Sequence, residues 1–430
     1  MQTISAPDNA MPQPPQSHAV ARDRKPHLRQ IDRLRIITAL SVVAVHVLGN
    51  STFLDKGFGA QVAQAMFITS FHFTREVFMF LTALALTYVY YGKPFATGHF
   101  WKRRALGVLL PYSVWSVIYV LANVRPTSIG AFLGSSALAI LTGDASYQLY
   151  YILLTLEFYI IFPVVLRALP LLARRIKTTL IISFTLEVLI LFFIHDILPN
   201  IAVPSSASFL VSQFTDRFVL VYQFYFVLGA LTALHLPEIK AFMLRHGPWM
   251  IAAGVVALVG LEINFLVQVG PSSGAMSRAV AVLQPMMAPY SLGAIAFLYW
   301  LALVLAQRVE QRKALRTERV WHQLSDAAFG VYLVHPLFIG AFMWIIVPPV
   351  RAYLPAGLII FIVWAMTAFC SVASTVLLLR TPVLSRLVGR PAPTPRWLAR
   401  WRAWRQQRTS LTRPRLAQVG AAGPAQEREP

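Results

Sequence analysis

The sequence is short of charge. Only 13% of its 430 residues are Asp, Glu, Lys or Arg, while 57% are hydrophobic. Soluble globular chains carry roughly 25% charged residues, so a large soluble enzyme is excluded. A single cysteine, Cys370, lies inside an apolar run, which rules out an intramolecular disulfide framework and a cysteine-rich metal site. No internal repeat is visible, nor an inverted pair of Gly- or Pro-broken helices of the kind that builds many secondary transporters. The first 30 residues are polar, then basic, and lack an apolar stretch ahead of a small-residue cleavage site, so no cleaved signal peptide is expected.

What the chain has in plenty is apolar runs of the length that crosses roughly 30 Å of hydrocarbon at about 1.5 Å per residue. They fall at roughly 34–50, 67–91, 105–123, 147–169, 178–195, 217–235, 248–270, 284–306, 325–349 and 354–379. The fold expected is all-α and integral to a lipid bilayer, with about ten transmembrane helices. The stretch 130–142 is too short to span and reads as an interfacial or re-entrant piece. The chain divides into a basic, disordered tail (1–30), a ten-helix membrane domain (31–380) and a basic Trp/Arg/Pro-rich tail (381–430).

Basic residues outnumber acidic ones by 38 to 17. Counted alternately across the connections, 31 of them fall on one side, including both tails, and five on the other: Lys56, Arg125, Arg217, Arg278 and Arg351. Such a bias marks the cytoplasmic side and puts both termini there. In the C-terminal tail Trp397, Trp401 and Trp404 share one helical face among arginines. That pattern fits either an amphipathic helix on the anionic leaflet or a plain basic tail that enforces topology. Nucleic acid is not an expected partner, because nothing foldable accompanies the basic run.

Ionisable groups within apolar spans are costly and mark functional candidates. Arg35 and His46 are 11 residues apart, three helical turns plus about 20°, so they share a face about 16 Å apart. An imidazole at that depth can serve as a base toward a hydroxyl. Arg75 and Glu76 are adjacent, point about 100° apart, and are expected to meet other helices rather than each other, as site-lining groups or as buried structural pairs. Glu157, Glu187 and Glu262 also lie in apolar spans. His335 precedes Pro336, whose ring frees a helix carbonyl, so His335 reads as part of a bend or as a second site histidine.

These residues fall in motifs that resemble a known family. Asp32-Arg33-Leu34-Arg35, followed after ten residues by His46, is similar to the first-span motif of membrane-bound acyltransferases of family 3, which O-acylate sugars of surface polysaccharides and lipopolysaccharide. Phe78-Met79-Phe80-Leu81, Phe100-Trp101-Lys102-Arg103-Arg104 with Pro111-Tyr112, Tyr147 to Tyr151 with Glu157-Phe158-Tyr159, and Phe329 to Pro336 resemble later motifs in the same order. The chain departs from the pattern at Thr82-Ala83, at Gly107 in place of the second arginine of Arg-x-x-Arg, and at the single Glu157 in place of a pair.

The resemblance implies an O-acyltransferase of the bacterial inner membrane, with no bound cofactor or metal. Its donor would be an acyl-coenzyme A, by default acetyl, and its acceptor a hydroxyl of a cell-surface carbohydrate. His46 and Arg35 would be catalytic, Arg103 and Arg104 would hold the donor phosphates, and Arg75, Glu76, Glu157 and His335 would line the substrate site. The other class of reading is a glycan transporter or exporter whose permeation path is lined by His46, Arg35 and the acidic groups. The charge bias is checked with cysteines placed in a chain lacking Cys370: position 278 is expected to react with an impermeant thiol reagent on intact spheroplasts. Protection there with labelling at 312 would invert the topology.

Overall fold

The computed structural model describes residues 25–54, 57–270 and 276–390, together with 401, 404 and 405. Among the described residues every regular element is a helix. The principal ones are α1 (Arg29–Asn50), α2 (Phe58–Ser70), α3 (Thr74–Tyr90), α4 (Thr97–Val124), α5 (Ile129–Thr142), α6 (Tyr150–Arg174), α7 (Ile176–Asn200), α8 (Ser205–Leu234), α9 (Leu236–Arg245), α10 (Gly247–Val269), α11 (Met287–Gln311), α12 (Leu315–Ile345) and α13 (Ala356–Arg380).

Eight of these, α4, α6, α7, α8, α10, α11, α12 and α13, are long and apolar enough to cross a membrane. The two remaining spans of the expected ten depart from that description for physical reasons. Helix α1 opens with Arg29, Asp32, Arg33 and Arg35, and α3 has only 17 residues and opens with Arg75 and Glu76. Both are packed inside the bundle, where Arg33, Arg35 and Arg75 find partners on neighbouring elements and Glu76 pairs with Arg75. The expected continuous run 67–91 is interrupted by a turn at Phe71–Phe73, which separates α2 from α3. Helix α12 begins ten residues before the expected start, because its first turns carry Glu318 and His322 to partners near the start of α1. Helix α5, with 14 residues, is indeed too short to span. Of the expected N-terminal tail, residues 1–24 lie outside the described residues, as does Trp397, while Arg29 and Gln30 already belong to α1; Trp401 and Arg405 are helical, the guanidinium 4.6 Å from the indole centroid.

The bundle is organised around α1, which packs against α3, α11, α12 and α13. Helices α7, α10 and α13 turn most of their apolar side chains outward, as a bilayer as apolar as the protein core allows. With no hydrophobic drive to bring helices together in lipid, close backbone approach at small residues does the packing. Gly229 on α8 stands so near α3 that a Cβ there would lie 2.2 Å from the Phe80 carbonyl oxygen. Gly293 on α11 would collide with Ala257 of α10 at 2.5 Å. Gly229→Val is therefore expected to lower the thermal unfolding midpoint of the detergent-purified protein, with a cost of about 1–3 kcal/mol or more. Gly134→Val, at an open position, serves as the control, and equal midpoints would show that the α3–α8 contact tolerates a side chain.

Candidate active site

Helices α1 and α12 run parallel, in a register set by side chains at three levels. At the first, the fully buried Arg33 pairs with Glu318 through two charge-assisted bonds. At the second, Ser325 Oγ donates to Asp32 Oδ1 at 2.7 Å and accepts from Arg35 Nη1 at 2.9 Å. At the third, the imidazoles of His46 and His335 stack, centroids 5.3 Å apart and planes 24° apart. Between the second and third levels each helix advances ten or eleven residues, about 15–16 Å. Two positions distant in the chain, 46 and 335, are thereby delivered to one place.

The His335-Pro336 dipeptide has a local logic. Proline lacks an N–H, so the carbonyl of Tyr332, four residues back, loses its helix partner. The imidazole of His335 fills the vacancy, with Nδ1 at 2.9 Å from that carbonyl and 3.2 Å from that of Val331. A carbonyl only accepts, so Nδ1 carries the proton and Nε2 keeps a lone pair. That Nε2 is buried and has no hydrogen-bond partner among the described residues. The helix continues unbroken through the proline, and the imidazole takes up the carbonyl that the ring frees. The ring of Tyr147 packs on His46 with centroids 4.5 Å apart.

At the Arg35 level a cavity of about 950 Å³ opens between α1, α4, α6, α12 and the chain that follows α13. Its walls carry Arg35, Arg103, Arg104, Arg386 and Arg390 with a single carboxylate, Asp326, so its field is strongly positive. Arg104 lies over the rings of Phe100 and Tyr159, 5.5 and 5.2 Å from their centroids. The cavity's inner end is lined by Tyr151 and Tyr332, and the Tyr332 and His335 rings are 6.0 Å apart. Lys102 does not line the cavity, in keeping with an anchoring role. Gly107, at the place of the missing arginine, lines it and abuts Gly389.

The remaining expected site residues fall elsewhere. Arg75 reaches Tyr222 Oη at 3.0 Å and the Val282 carbonyl at 3.3 Å, and also Glu76 at 3.4 Å. The expectation that the two adjacent residues avoid each other is thus corrected: in the first turn of α3 the long guanidinium arm bends back to the carboxylate while still meeting other helices. Glu157 accepts the Val219 N–H at 3.1 Å and is not in the cavity wall, although Thr155 and Tyr159 are. Sequence reasoning overlooked Ser325, Asp326, Arg386 and Arg390. A Ser-Asp pair about three helical turns before His335, close to the Arg35–His46 interval, was the available sign. Among the described residues His27, Asp32 and His322 have ligand atoms within 4.8 Å of one another and could hold a metal ion. Here the Asp32 carboxylate is satisfied by His27 Nε2 at 2.6 Å and by Ser325, and so supports Arg35.

The family model described as an acyltransferase domain, Acyl_transf_3, matches residues 28–377. No curated protein and no solved structure matches the chain. Because Arg33 has one carboxylate partner among the described residues, Glu318→Gln is expected to destabilise the fold by about 3 kcal/mol, the cost of leaving a buried charge alone. The double change Arg33→Met, Glu318→Leu should recover most of it. An unchanged unfolding midpoint for Glu318→Gln would remove this pair from the α1–α12 register.

Proposed function

The chain belongs to the family-3 membrane acyltransferases, and from that premise we propose that it transfers an acyl group, by default acetyl, from acyl-coenzyme A to a hydroxyl of a cell-surface carbohydrate in the bacterial inner membrane. The observation that carries this reading is the pairing of a cationic cavity with a histidine pair about 15 Å further along the same two helices. A donor whose phosphates rest among the arginines extends its flexible arm past Tyr332 toward His46. Guanidinium groups suit the phosphates because their donors form a fork.

At the inner level His46 takes the proton of the acceptor hydroxyl as its oxygen attacks the thioester carbonyl carbon. The C–S bond then breaks, and the thiolate leaves with the proton from the His46 imidazolium, giving ester and free coenzyme A thiol. The lone pair of His335 Nε2 accepts a hydrogen bond from a second acceptor hydroxyl and orients it. With both termini cytoplasmic, the cavity faces the cytoplasmic donor pool and the histidines face the acceptor side.

His46→Ala and His46→Gln are both expected to abolish acyl transfer in membrane vesicles while the protein stays folded in the membrane. Mass spectrometry of the glycan reads the outcome, since one acyl group is one defined mass step. Normal acylation in either variant removes His46 as base, and retention of glycan inside the cell in the variants favours an exporter. Arg35→Lys keeps the charge but loses the fork, so the donor KM should rise while the acceptor KM holds. Arg103→Lys and Arg104→Lys should follow the same pattern if they bind phosphate, and wild-type donor dependence in all three returns them to anchoring.

A further inference from the structure

Helix α13 ends at Arg380, and the family match ends at residue 377. Residues 384–390 remain packed against the bundle. A short 3-10 helix at Leu384–Val388 turns back beneath α4 and α12 and forms one wall of the arginine cavity. Three contacts pin it. Trp115 Nε1 donates to the Leu387 carbonyl at 2.9 Å, and Val388 is 1% exposed. Gly389 adopts φ +73°, and a Cβ there would stand 2.6 Å from the Gly107 carbonyl oxygen and 2.8 Å from the Phe329 ring. Only glycine fits that position comfortably, and two arginines of the segment it anchors line the cavity.

Those residues are Arg386 and Arg390, and they are not equivalent. Arg390 pairs with Asp326, the sole carboxylate of the cavity wall, and cancels its charge. Arg35 is held by Ser325, and Arg104 is spread over two rings. Arg386 has no carboxylate partner among the described residues and is exposed on the cavity wall. A cation held in place by a rigid segment, beside a carboxylate already neutralised, is a prepared anion site.

We infer that Arg386 is a phosphate-binding residue of this cavity, and that it meets the donor phosphate farthest from the thioester, the 3′-phosphate of coenzyme A. The inference rests on the acyl-coenzyme A reading above. Depth decides which phosphate. The reacting carbonyl must reach His46, beyond the tyrosines at the inner end, so the opposite end of the donor lies at the exposed mouth, where Arg386 stands. Arg390 is then a positioning residue that locks the segment through Asp326.

The test is calorimetric titration of the full-length protein in nanodiscs with coenzyme A and with 3′-dephospho-coenzyme A. The wild type should bind coenzyme A more tightly by about ten- to a hundredfold, the effect of one hydrogen-bonded charge pair. Arg386→Gln should bind the two alike, at the affinity of the dephospho form, and Arg386→Lys should restore part of the preference. A wild type that binds both equally, or an Arg386→Gln protein that keeps the preference, overturns the assignment while leaving coenzyme A as donor. A wild type that binds neither overturns both, and thereby separates the failure of the donor reading from that of Arg386.

Discussion

Parallel pairing of the first helix with the long helix 315–345 governs the rest of the molecule. Charged side chains in a bundle surrounded by hydrocarbon must find partners or leave the membrane, and Arg33, Asp32 and Arg35 find theirs in Glu318 and Ser325. Because these partners come from a helix almost three hundred residues away, satisfying them fixes which helices are neighbours and in what register. The same register then brings His46 against His335 without any further adjustment. A one-turn slip of either helix would strand a buried arginine, so the ionic level guards the geometry of the histidine level.

The site is built from exceptions to ordinary helix chemistry. Pro336 removes a backbone donor, and the carbonyl it frees becomes the bond that sets the His335 tautomer. Helix α4 passes through a π-helical stretch at Ala105–Leu109, directly after Arg103 and Arg104 and containing Gly107. Such bulges recur at functional sites because an extra residue per turn re-aims what precedes it. Where a side chain is missing at Gly107, the chain after α13 closes up against the gap and brings its own arginines.

The resulting layout separates two tasks that would interfere. Five guanidinium groups around one cavity suit a polyanion, yet the same charges beside the histidines would oppose protonation of the base. A distance of about 15 Å along the helices keeps them apart, and the tyrosines at the cavity's inner end occupy the interval. Under the proposed function, donor capture at one end and proton transfer at the other would thus share two helices while lying well apart.

Membrane residence, helical class and the family were legible in the residues themselves, because apolar run length and the order of motifs are local properties of a chain. So was the shared face of Arg35 and His46, which follows from the helical repeat alone. Proximity of residues on different helices was not. Nothing in the spacing of 46 and 335 says that their rings stack, that Ser325 holds Arg35, or that Arg386 returns to the cavity from beyond α13. Local periodicity states which way a side chain faces on its own helix. Only the packing of helices, decided by where buried charges find partners and where glycines let backbones meet, states what it faces.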